Sequence, residues 1–420
     1  SSNTTITASA VFPGTIGYQW YNGVAVTPIG GATSSTHTFN ASGTYSVVVT
    51  GTPGGCKDTS SFTIIAAAAP TVTIGGPNLV CEGSTTTTLS SIPVVGSGPI
   101  TGYQWYTGPA WPATAVVIET NPTYNIPVAN QTYWVQVTDS YGCTAHNPTG
   151  HNVAIDMSPL NGFYTIGPGG QTCSNFASFD SAVSALNRRG ISGDVTIQAV
   201  SGIVETVRVG GLILGPVAGN TGTRRIRFTN DGLGAHPLLK AYTGGSATPA
   251  TATAQDGIWS INGVDNLTID GIDLLDENIT NNGTMEYGYG FFKTSGTDGC
   301  QNDSVINCVI TLNKVNNVTG AGTSYEGNKG IWMVNSTRTA PTTAITVTAA
   351  SGSNSNNRFY GNTITNLHNG IVIYGFNATV GVGPSPAPAT FLGDLNNDIG
   401  GNINTDGNTI TDFGSNGVAI

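Results

Sequence analysis

The stretch GYQWYNG at residues 17–23 returns as GYQWYTG at residues 102–108, with one change in seven positions. A repeat of about 85 residues (102 minus 17) is long for a solenoid coil and has the size of a small domain. Around each copy, short alternating segments such as TYSVVVT and TYWVQVT are separated by turn residues. This pattern predicts two tandem β-sandwiches, each with a core tryptophan, Trp20 or Trp105, on a central strand. The alternative for these tryptophans is an exposed ring that stacks on a sugar.

The charge of the chain excludes several classes of function. The sequence has 13 Lys plus Arg against 23 Asp plus Glu, a formal net charge of -10, and only RRIR (224–227) approaches a basic cluster. Phosphate contacts need several basic side chains on one face, so no nucleic-acid partner is expected. Since no apolar run approaches the length of a membrane span, no transmembrane segment is expected either.

The cysteines indicate an oxidising, extracellular setting. They lack the close CxxC pairs of a zinc site, which favours disulfides. Cys81 opens the second repeat and Cys143 closes it, so we predict a bond between them; the first repeat has only the closing Cys56, and its partner would fall just before Ser1. The chain is therefore expected to begin inside a domain. The pairing of the other three is left open: Cys173, Cys300 and Cys308.

Four motifs of the second repeat resemble those of the Ig-like or PKD-like repeats in large surface adhesins of Bacteroidota. The matching residues are Cys81-Glu82-Gly83, Tyr103-Gln104-Trp105-Tyr106, Tyr133-Trp134-Val135 and Gly142-Cys143. The resemblance covers residues 1–157 and implies Ig-like domains at 1–66 and 70–157, joined by the AAAAP connector. Cys143 falls ten residues after Tyr133, unlike in antibody domains, so the expected bond would link domain edges rather than cross the core.

The pattern of apolar and turn residues changes after residue 160. Phe176, Phe179, Val183 and Leu186 are spaced as on one face of a short helix that ends at Gly190. Strand-like phrases then recur, separated by Asn, Asp and Gly: NLTIDGIDL (266–274), SVINCVITL (304–312), RFYGNTITNL (358–367) and DGNTITDF (406–413). A companion phrase also recurs: GIWS at 257, GFFK at 290, GIWM at 330, GIVI at 370 and GVAI at 417. The irregular spacing predicts a right-handed parallel β-helix over 160–420, capped at its N-terminal end by the helix and expected to stop in mid-coil.

The segments GFYTIGPGG and SGDVTIQAV, with the short helix between them, resemble the start of the β-helix in secreted Bacteroidota proteins of the pectate-lyase-like superfamily. That fold hosts lyases and hydrolases, so the resemblance raises the possibility of catalysis. The chain nevertheless lacks the DD motif of polygalacturonase-like sites, and His368 is the only histidine in the coil phrases. We therefore predict no catalytic residues and no enzyme activity.

One turn has the composition of a calcium site. In DLNNDIGGN (394–402), Asp394, Asn396 and Asp398 offer oxygen ligands suited to a hard cation. Ile399 and Thr405 replace the Gly and Glu of an EF-hand loop, which favours a solvated turn as the alternative. Apart from calcium, no cofactor is expected.

Three aromatic residues occur at the same offset in the companion phrases. Strand alternation from the preceding Gly would turn Trp259, Phe292 and Trp332 outward as a ladder across neighbouring coils. Exposed rings of this size usually mark an interface or a sugar platform. The alternative is that they lie under a long loop such as 275–289.

Taken together, these patterns favour an all-β, non-enzymatic segment of a giant extracellular surface protein or filament. The resemblance implies export by type IX secretion, attachment to the cell surface and a role in adhesion, gliding or contact with prey. The ladder suggests self-association into a fibre or homo-oligomer, with a cell-surface glycan or protein as a further ligand. The alternatives are a secreted β-helix polysaccharide lyase or hydrolase with Ig-like accessory domains, and a carbohydrate-binding module.

Overall fold

The computed structural model describes residues 3–82, 86–115, 120–245, 255–280, 283–314, 327–375, 392–403 and 406–420. Within them the structure is almost entirely β, with one α-helix and one short 3-10 helix, so the prediction of an all-β protein is confirmed. The chain divides into two compact units. The first comprises Ser1–Asn78 and Thr86–Ala154, and the second Leu79–Thr85 and Ile155–Ile420.

The strands up to residue 156 are β1 (Thr4–Thr7), β2 (Thr15–Asn22), β3 (Thr27–Pro28), β4 (Thr36–Phe39), β5 (Gly43–Thr52), β6 (Lys57–Ile64), β7 (Thr71–Gly75), β8 (Leu79–Cys81), β9 (Thr86–Val94), β10 (Ile100–Thr107), β11 (Thr114–Ala115), β12 (Thr123–Pro127), β13 (Gln131–Asp139), β14 (Thr144–His146) and β15 (His151–Asp156). In the first repeat, one sheet has the order β3-β2-β5-β6 and the other consists of β1 and β4. In the second repeat, β10 pairs with β11 and β13, and β13 also pairs with β14 and β15. The other sheet has the order β12-β9-β7.

The two repeats bury their signature tryptophans in the same way. Trp20 lies opposite Val47 in the adjacent strand and Trp105 lies opposite Val135, and both side chains are fully buried. Each indole N–H donates to a backbone carbonyl, that of Ser34 at 2.8 Å or that of Asn121 at 3.0 Å. This satisfied, buried indole confirms the core interpretation of both tryptophans and the Ig-like, antiparallel character of the repeats.

The later elements are β16 (Leu160–Ile166), β17 (Asn175–Phe176), α1 (Phe179–Arg189), β18 (Ile191–Ala199), β19 (Val204–Thr206), β20 (Leu212–Leu214), β21 (Ile226–Asn230), β22 (Leu238–Lys240), β23 (Gly257–Asn262), β24 (Leu267–Asp270), β25 (Asp273–Leu275), β26 (Tyr287–Phe292), β27 (Ser304–Ile306), β28 (Val309–Thr311), β29 (Lys329–Val334), a 3-10 helix (Ala350–Gly352), β30 (Arg358–Tyr360), β31 (Thr363–Tyr374), β32 (Asp398–Ile399) and β33 (Thr409–Ala419).

These strands form three parallel stacks that the chain visits in rotation. Stack A has the order β17-β16-β18-β21-β24-β27-β30-β32. Stack B runs β19-β22-β25-β28-β31 and stack C runs β20-β23-β26-β29-β31, with the long β31 belonging to both and β33 pairing with it. Because each strand is followed by one in the next stack, every turn of the chain adds one layer, as expected from the recurring phrases.

The interior of the coil is built from rows of apolar side chains at equivalent register positions. On stack A, Phe228, Ile269, Val305 and Phe359 follow one another, and all four are fully buried. A matching row on stack B contains Leu239, Leu274, Ile310 and Ile364. Stacked apolar rows of this kind exclude water along the whole coil, so each layer stabilises its neighbours.

The predicted helix is present as α1, but it begins at Phe179, and Phe176, which was expected on its apolar face, lies in β17. Ser178 caps its N-terminus in a reciprocal arrangement with Ser181, and Gly190, with a φ of 66°, ends it. Phe179, Val183 and Leu186 are buried in the same core cluster as the first strands of the coil. The helix therefore packs on the early layers of the stack, the position expected of a cap.

The disulfide prediction was wrong. Cys81 is bonded to Cys173, with Cα atoms 4.9 Å apart, and Cys143 is free. Cys81 and Cys173 belong to the same compact unit. Cys143 instead lies in the turn between β13 and β14, where its N–H donates to Asp139 at 2.8 Å. Cys81 and Cys143 stand at matching ends of the second repeat but are not bonded. The bonded cysteines are instead two that lie close together in one compact unit.

Candidate functional site

The predicted aromatic ladder does not form on the surface. Trp259, Phe292 and Trp332 are all buried, with exposed fractions of 1% or less. Trp259 lies inside the coil core, edge-on to Phe228 with ring centroids 5.0 Å apart. Phe292 and Trp332 belong to a separate cluster on the other face of stack C. The interface assigned to these three residues is therefore wrong for the folded chain.

The error comes from the register of the companion phrases. Trp259 pairs with Tyr289, and Tyr289 pairs with Ile331. Relative to GIWM, the phrase GIWS is therefore shifted by one residue, and the phrase GFFK is shifted by two. A shift of one residue moves a side chain to the opposite face of a strand, and Trp259 accordingly points inward. A shift of two residues keeps the face, so Phe292 remains on the same side as Trp332.

The second cluster, which we call the outer cluster, consists of Tyr287, Phe292, Trp332, Val334 and Val372. The Phe292 and Trp332 rings meet edge to face at 5.5 Å, and the Tyr287 hydroxyl hydrogen-bonds with Ser260 at 2.8 Å. The Lys329 ammonium lies over the Trp332 ring at 4.6 Å from its centroid. Both faces of stack C are therefore buried at this point, and the aromatic residues stabilise the fold.

Buried ionisable groups lie beside the outer cluster. Glu286 is 1% exposed and accepts a hydrogen bond from the Asp256 N–H at 2.7 Å. Burial raises the pKa of its carboxyl to about 8; the hydrogen bond from the Asp256 N–H and the charge of Lys329 oppose this rise, and the negative charge of Asp256 adds to it. A perturbed pKa of this kind is a frequent mark of catalytic acids, but such a residue must also reach a substrate. Glu286 is enclosed, so these contacts place it in the structural framework.

The three oxygen-bearing residues of the predicted calcium turn are each engaged by protein groups. Asp394 accepts from the Lys293 ammonium at 2.9 Å and from the Asn354 N–H at 2.7 Å. The Asn396 amide donates to Asn356 at 3.3 Å, and Asp398 accepts from the Tyr360 hydroxyl at 2.5 Å.

The Lys293 side chain is fully buried and also donates to the Gly352 carbonyl at 2.7 Å. Its ammonium thus already supplies the positive charge next to Asp394. Among the described residues, His, Cys, Asp and Glu side chains do not gather into a group of three or more that could hold a metal ion. Calcium in this turn therefore stays a prediction.

A row of polar side chains in the second unit lies on the outer face of stack A. Asn266, Asn302, Asn356 and Asn396 each precede a strand of this stack and all have left-handed backbone, with φ between 55° and 61°. Asparagine tolerates this conformation better than most residues because its short side chain can hydrogen-bond locally. The next residue then points into the coil, while the asparagine remains at the surface.

Two parallel rows of side chains result from the register of these strands. The first row follows the turn and consists of Arg225, Asn266, Asn302 and Asn356. The second row lies two residues further along each strand and consists of Arg227, Thr268, Ser304 and Arg358. We call these two rows the asparagine–arginine face. Neighbouring members lie about 4.8 Å apart, the spacing of adjacent strands.

The asparagine–arginine face forms a groove of about 500 Å³. Arg225 lies at one end and Arg358 at the other, three strands apart, and both are exposed. Arg227 is paired with Asp270 at 2.7 Å, but no ion pair or side-chain hydrogen bond to described residues engages the guanidinium of Arg225 or Arg358. Arg358 also lies level with Asp398 on the neighbouring strand β32. The groove therefore offers two exposed guanidinium groups, with hydroxyl and amide groups between them.

This face was not predicted, although the sequence contains a signal for it. Four layers of stack A begin with an Asn followed by an inward residue, in NL (266–267), ND (302–303), NN (356–357) and NN (396–397). Aligning these dipeptides would have placed Thr268 and Ser304 level with Arg358, whereas the layer of Arg225 lacks the Asn and could not be aligned in this way. The large aromatic residues of the companion phrases are a stronger sequence signal than the polar residues of the asparagine–arginine face.

No protein-family model matches the chain, and no curated protein matches it. Similar solved structures include three N-terminal domains of the outer capsid protein Hoc of bacteriophage RB49, with 18% identity, 40% of this chain and 60% of that chain covered, and a TM-score of 0.27. The fibronectin(III)-like modules of Clostridium thermocellum CbhA match at 16% identity, covering 36% and 84% of the chains, with a TM-score of 0.22. The four N-terminal Ig domains of Dscam1 match at 16% identity, covering 37% and 41%, with a TM-score of 0.18.

The chain thus spans 60% of the Hoc structure and 41% of the Dscam1 structure. At these TM-scores the likenesses carry no argument about function. None of the helices in the described residues is long and apolar enough to cross a bilayer.

Proposed function

We propose that the chain is a non-enzymatic structural and adhesive segment of an extracellular surface protein, and that its asparagine–arginine face binds an anionic polysaccharide. The observation that carries the proposal is the groove between Arg225 and Arg358, whose guanidinium groups are exposed and form no ion pair within the described part of the chain. Carboxylates are the natural partners of guanidinium groups. The hydroxyls of Thr268 and Ser304 and the amides of the asparagine row suit the hydroxyl groups of sugars.

We further propose that the second unit is a right-handed parallel β-helix. Parallel strands joined by crossovers in the same sheet are right-handed in about 98% of cases. The three parallel stacks and their continuous apolar rows support this architecture, which would give a rigid support for a contact surface. The capping role of α1 belongs to the same proposal.

The cellular context of the proposal rests on the resemblance to Bacteroidota adhesins. It comprises export by type IX secretion, anchoring at the cell surface, and a role in attachment, gliding or prey contact. The Cys81–Cys173 bond supports an extracellular site, because disulfides persist in oxidising compartments. We also propose that the chain self-associates into a fibre, through an interface other than the aromatic ladder.

The face can be tested by measuring how immobilised chain binds polygalacturonate and alginate, with neutral dextran as the uncharged comparison. We expect saturable binding of the acidic polymers that weakens with salt. The double variant R225A/R358A should bind at least tenfold more weakly, since a hydrogen bond to a charged group contributes about 1.5–3 kcal/mol.

The matched control is R188A/R208A, which removes two positive charges elsewhere in the second unit. Arg188 pairs with Glu82 and Arg208 with Asp180, so these side chains are already engaged. This control should bind like the unmodified chain. Equal losses in both double variants, or no preference for acidic over neutral polymer, would refute the proposed role of the face.

A further inference from the structure

The sheet of the second Ig-like repeat that contains β10, β13 and β14 carries aromatic side chains on its outer face. Trp105 of β10 is buried in the core of the repeat, opposite Val135 of β13. Successive side chains of a strand point to opposite faces. The next residue of β10, Tyr106, and its cross-strand neighbour Trp134 on β13 therefore lie on the face away from that core.

A third ring, the indole of Trp111, lies over this face from the loop between β10 and β11. It stacks on the His146 imidazole of β14 with 4.2 Å between centroids, and it meets the Tyr106 ring edge to face at 4.9 Å. The side chains of Tyr106, Trp111 and His146 are half-buried, so part of each ring remains accessible. We give the name aromatic face to five residues: Tyr106, Trp111, Trp134, Gln136 and His146.

The first repeat shows that the fold does not need an indole at the position of Trp134. The Trp134 indole N–H donates to the Gly108 carbonyl at 2.9 Å. In the first repeat the equivalent residue is Ser46, whose hydroxyl donates to the Gly23 carbonyl at 2.7 Å. A serine therefore makes the hydrogen bond that holds this turn, and the larger aromatic side chain calls for another explanation.

Two polar groups lie beside the Trp111 ring. Gln136 and His146 are directly opposite each other on β13 and β14. The Tyr106 hydroxyl donates to Gln136 Oε1 at 3.1 Å, and Gln136 Nε2 makes no hydrogen bond to the described residues. His146 Nδ1 lies 2.8 Å from the Asn147 carbonyl, which can only accept, so Nδ1 carries the proton and Nε2 is an acceptor. The face thus presents a donor and an acceptor side by side.

We propose that the aromatic face binds a neutral glycan of β-linked pyranose units such as glucose or xylose. A pyranose ring whose hydroxyls are all equatorial leaves C–H groups on both of its faces, and such a face packs against the accessible part of the Trp111 indole. Adjacent hydroxyls at the edge of the sugar accept from Gln136 Nε2 and donate to His146 Nε2. The five residues include no Asp, Glu, Lys or Arg, which favours an uncharged ligand.

The size of the face favours a sugar over a protein partner. A stable protein interface covers about 800 Å² on each partner. Three half-buried rings above Trp134, which is 7% exposed, offer far less. Small-molecule sites, in contrast, need only a few aromatic side chains and well-placed polar groups. The aromatic face belongs to the first compact unit and is independent of the asparagine–arginine face in the second.

The test is isothermal titration calorimetry of the whole chain with cellohexaose and with xylohexaose, up to millimolar concentrations. We expect saturable binding of at least one of them. Trp111→Ala should weaken it by at least about tenfold because the stacking surface is lost, whereas Trp111→Phe, which keeps a ring, should weaken it much less. Gln136→Val should also weaken binding, since it removes the donor. This variant keeps the fold, because the first repeat has Val48 at the equivalent position.

The matched control is Tyr141→Ala, which removes a ring that is 66% exposed in the same repeat but outside the aromatic face. It should bind like the unmodified chain, as should R225A/R358A. Lack of binding of both hexasaccharides, or equal weakening in Tyr141→Ala and Trp111→Ala, would overturn the proposal. Concentration-dependent dimers that Trp111→Ala abolishes would identify a second copy of the chain as the occupant and would also overturn it.

Discussion

Asp303 occupies a position that asparagine fills in the next two layers of stack A. Asn357 accepts from the Asp303 N–H at 2.9 Å and donates to the Cys300 carbonyl at 3.0 Å, and Asn397 makes the equivalent pair of bonds. Asp303 accepts from the Leu267 N–H at 2.8 Å, but its other carboxyl oxygen is buried without a partner. Burial raises the pKa of this carboxyl well above its usual range.

The direction of the shift gives a pH-dependent prediction. A carboxyl whose pKa is raised by folding stabilises the fold fully below its unfolded pKa of about 3.9, and this contribution is lost as the pH rises towards the folded value. Asp303→Asn should therefore raise the free energy of unfolding by about 1–3 kcal/mol at pH 7.5, because the amide can donate as Asn357 does. The gain should shrink towards pH 4, as measured by urea unfolding at several pH values.

The reverse change, Asn357→Asp, is the matched control. It should destabilise the chain at pH 7.5 and less so near pH 4, since it places an unpaired carboxylate at the equivalent site. A gain that is constant with pH, or an Asp303→Asn variant that is less stable at pH 7.5, would show that the Asp303 carboxyl is not held in its neutral form by burial.

At the scale of single elements, the Cys81–Cys173 bond ties β8 to the segment just before β17, across a sequence separation of 92 residues. Cys81→Ser or Cys173→Ser should lower the free energy of unfolding of the second unit by about 2–5 kcal/mol, the usual effect of losing a native disulfide. Thermal denaturation measures the loss. Cys143→Ser should leave the midpoint unchanged. Non-reducing peptide mapping that links Cys81 to Cys143 would contradict the pairing.

The outer cluster is a second test at this scale. Trp332 is fully buried between the Tyr287 and Phe292 rings, at 5.7 and 5.5 Å between centroids. Trp332→Ala should cost about 3–5 kcal/mol in denaturant unfolding, as for other buried aromatic truncations. Phe163→Ala removes a ring that is 56% exposed on β16 and should change stability by less than about 0.5 kcal/mol. Similar losses in the two variants would argue against a packed outer cluster.

These elements also show what the sequence can predict. Alternation and turn residues predicted the strands and the Trp20 and Trp105 cores, and the spacing of apolar residues predicted a short helix that ends at Gly190, because those signals are local. Register is not local: GIWS, GFFK and GIWM look equivalent, yet they are offset by one or two residues, and that offset decides whether Trp259 points inward. The partner of Cys81 likewise depends on which segments pack together, and spacing between repeats did not encode it.

At the scale of the whole molecule, few charges remain available for contacts. The chain has 13 basic residues and a net charge of -10, so the molecule as a whole repels an anionic polymer at long range. Binding at the asparagine–arginine face must then depend on direct contacts with Arg225 and Arg358. We expect it to be modest for one copy and strong when many copies act together on one polymer.

The most direct test of the central claim, a surface that binds an acidic polysaccharide without cleaving it, measures both properties in one sample. The whole chain is incubated with an excess of polygalacturonate, and retained polymer and newly formed reducing ends or unsaturated sugars are followed over hours. We expect the unmodified chain to retain the polymer and the R225A/R358A variant not to retain it. We also expect the amount of cleavage products to be no higher than in a sample without protein. Product that accumulates with time and protein concentration would show that the chain is an enzyme and contradict the account.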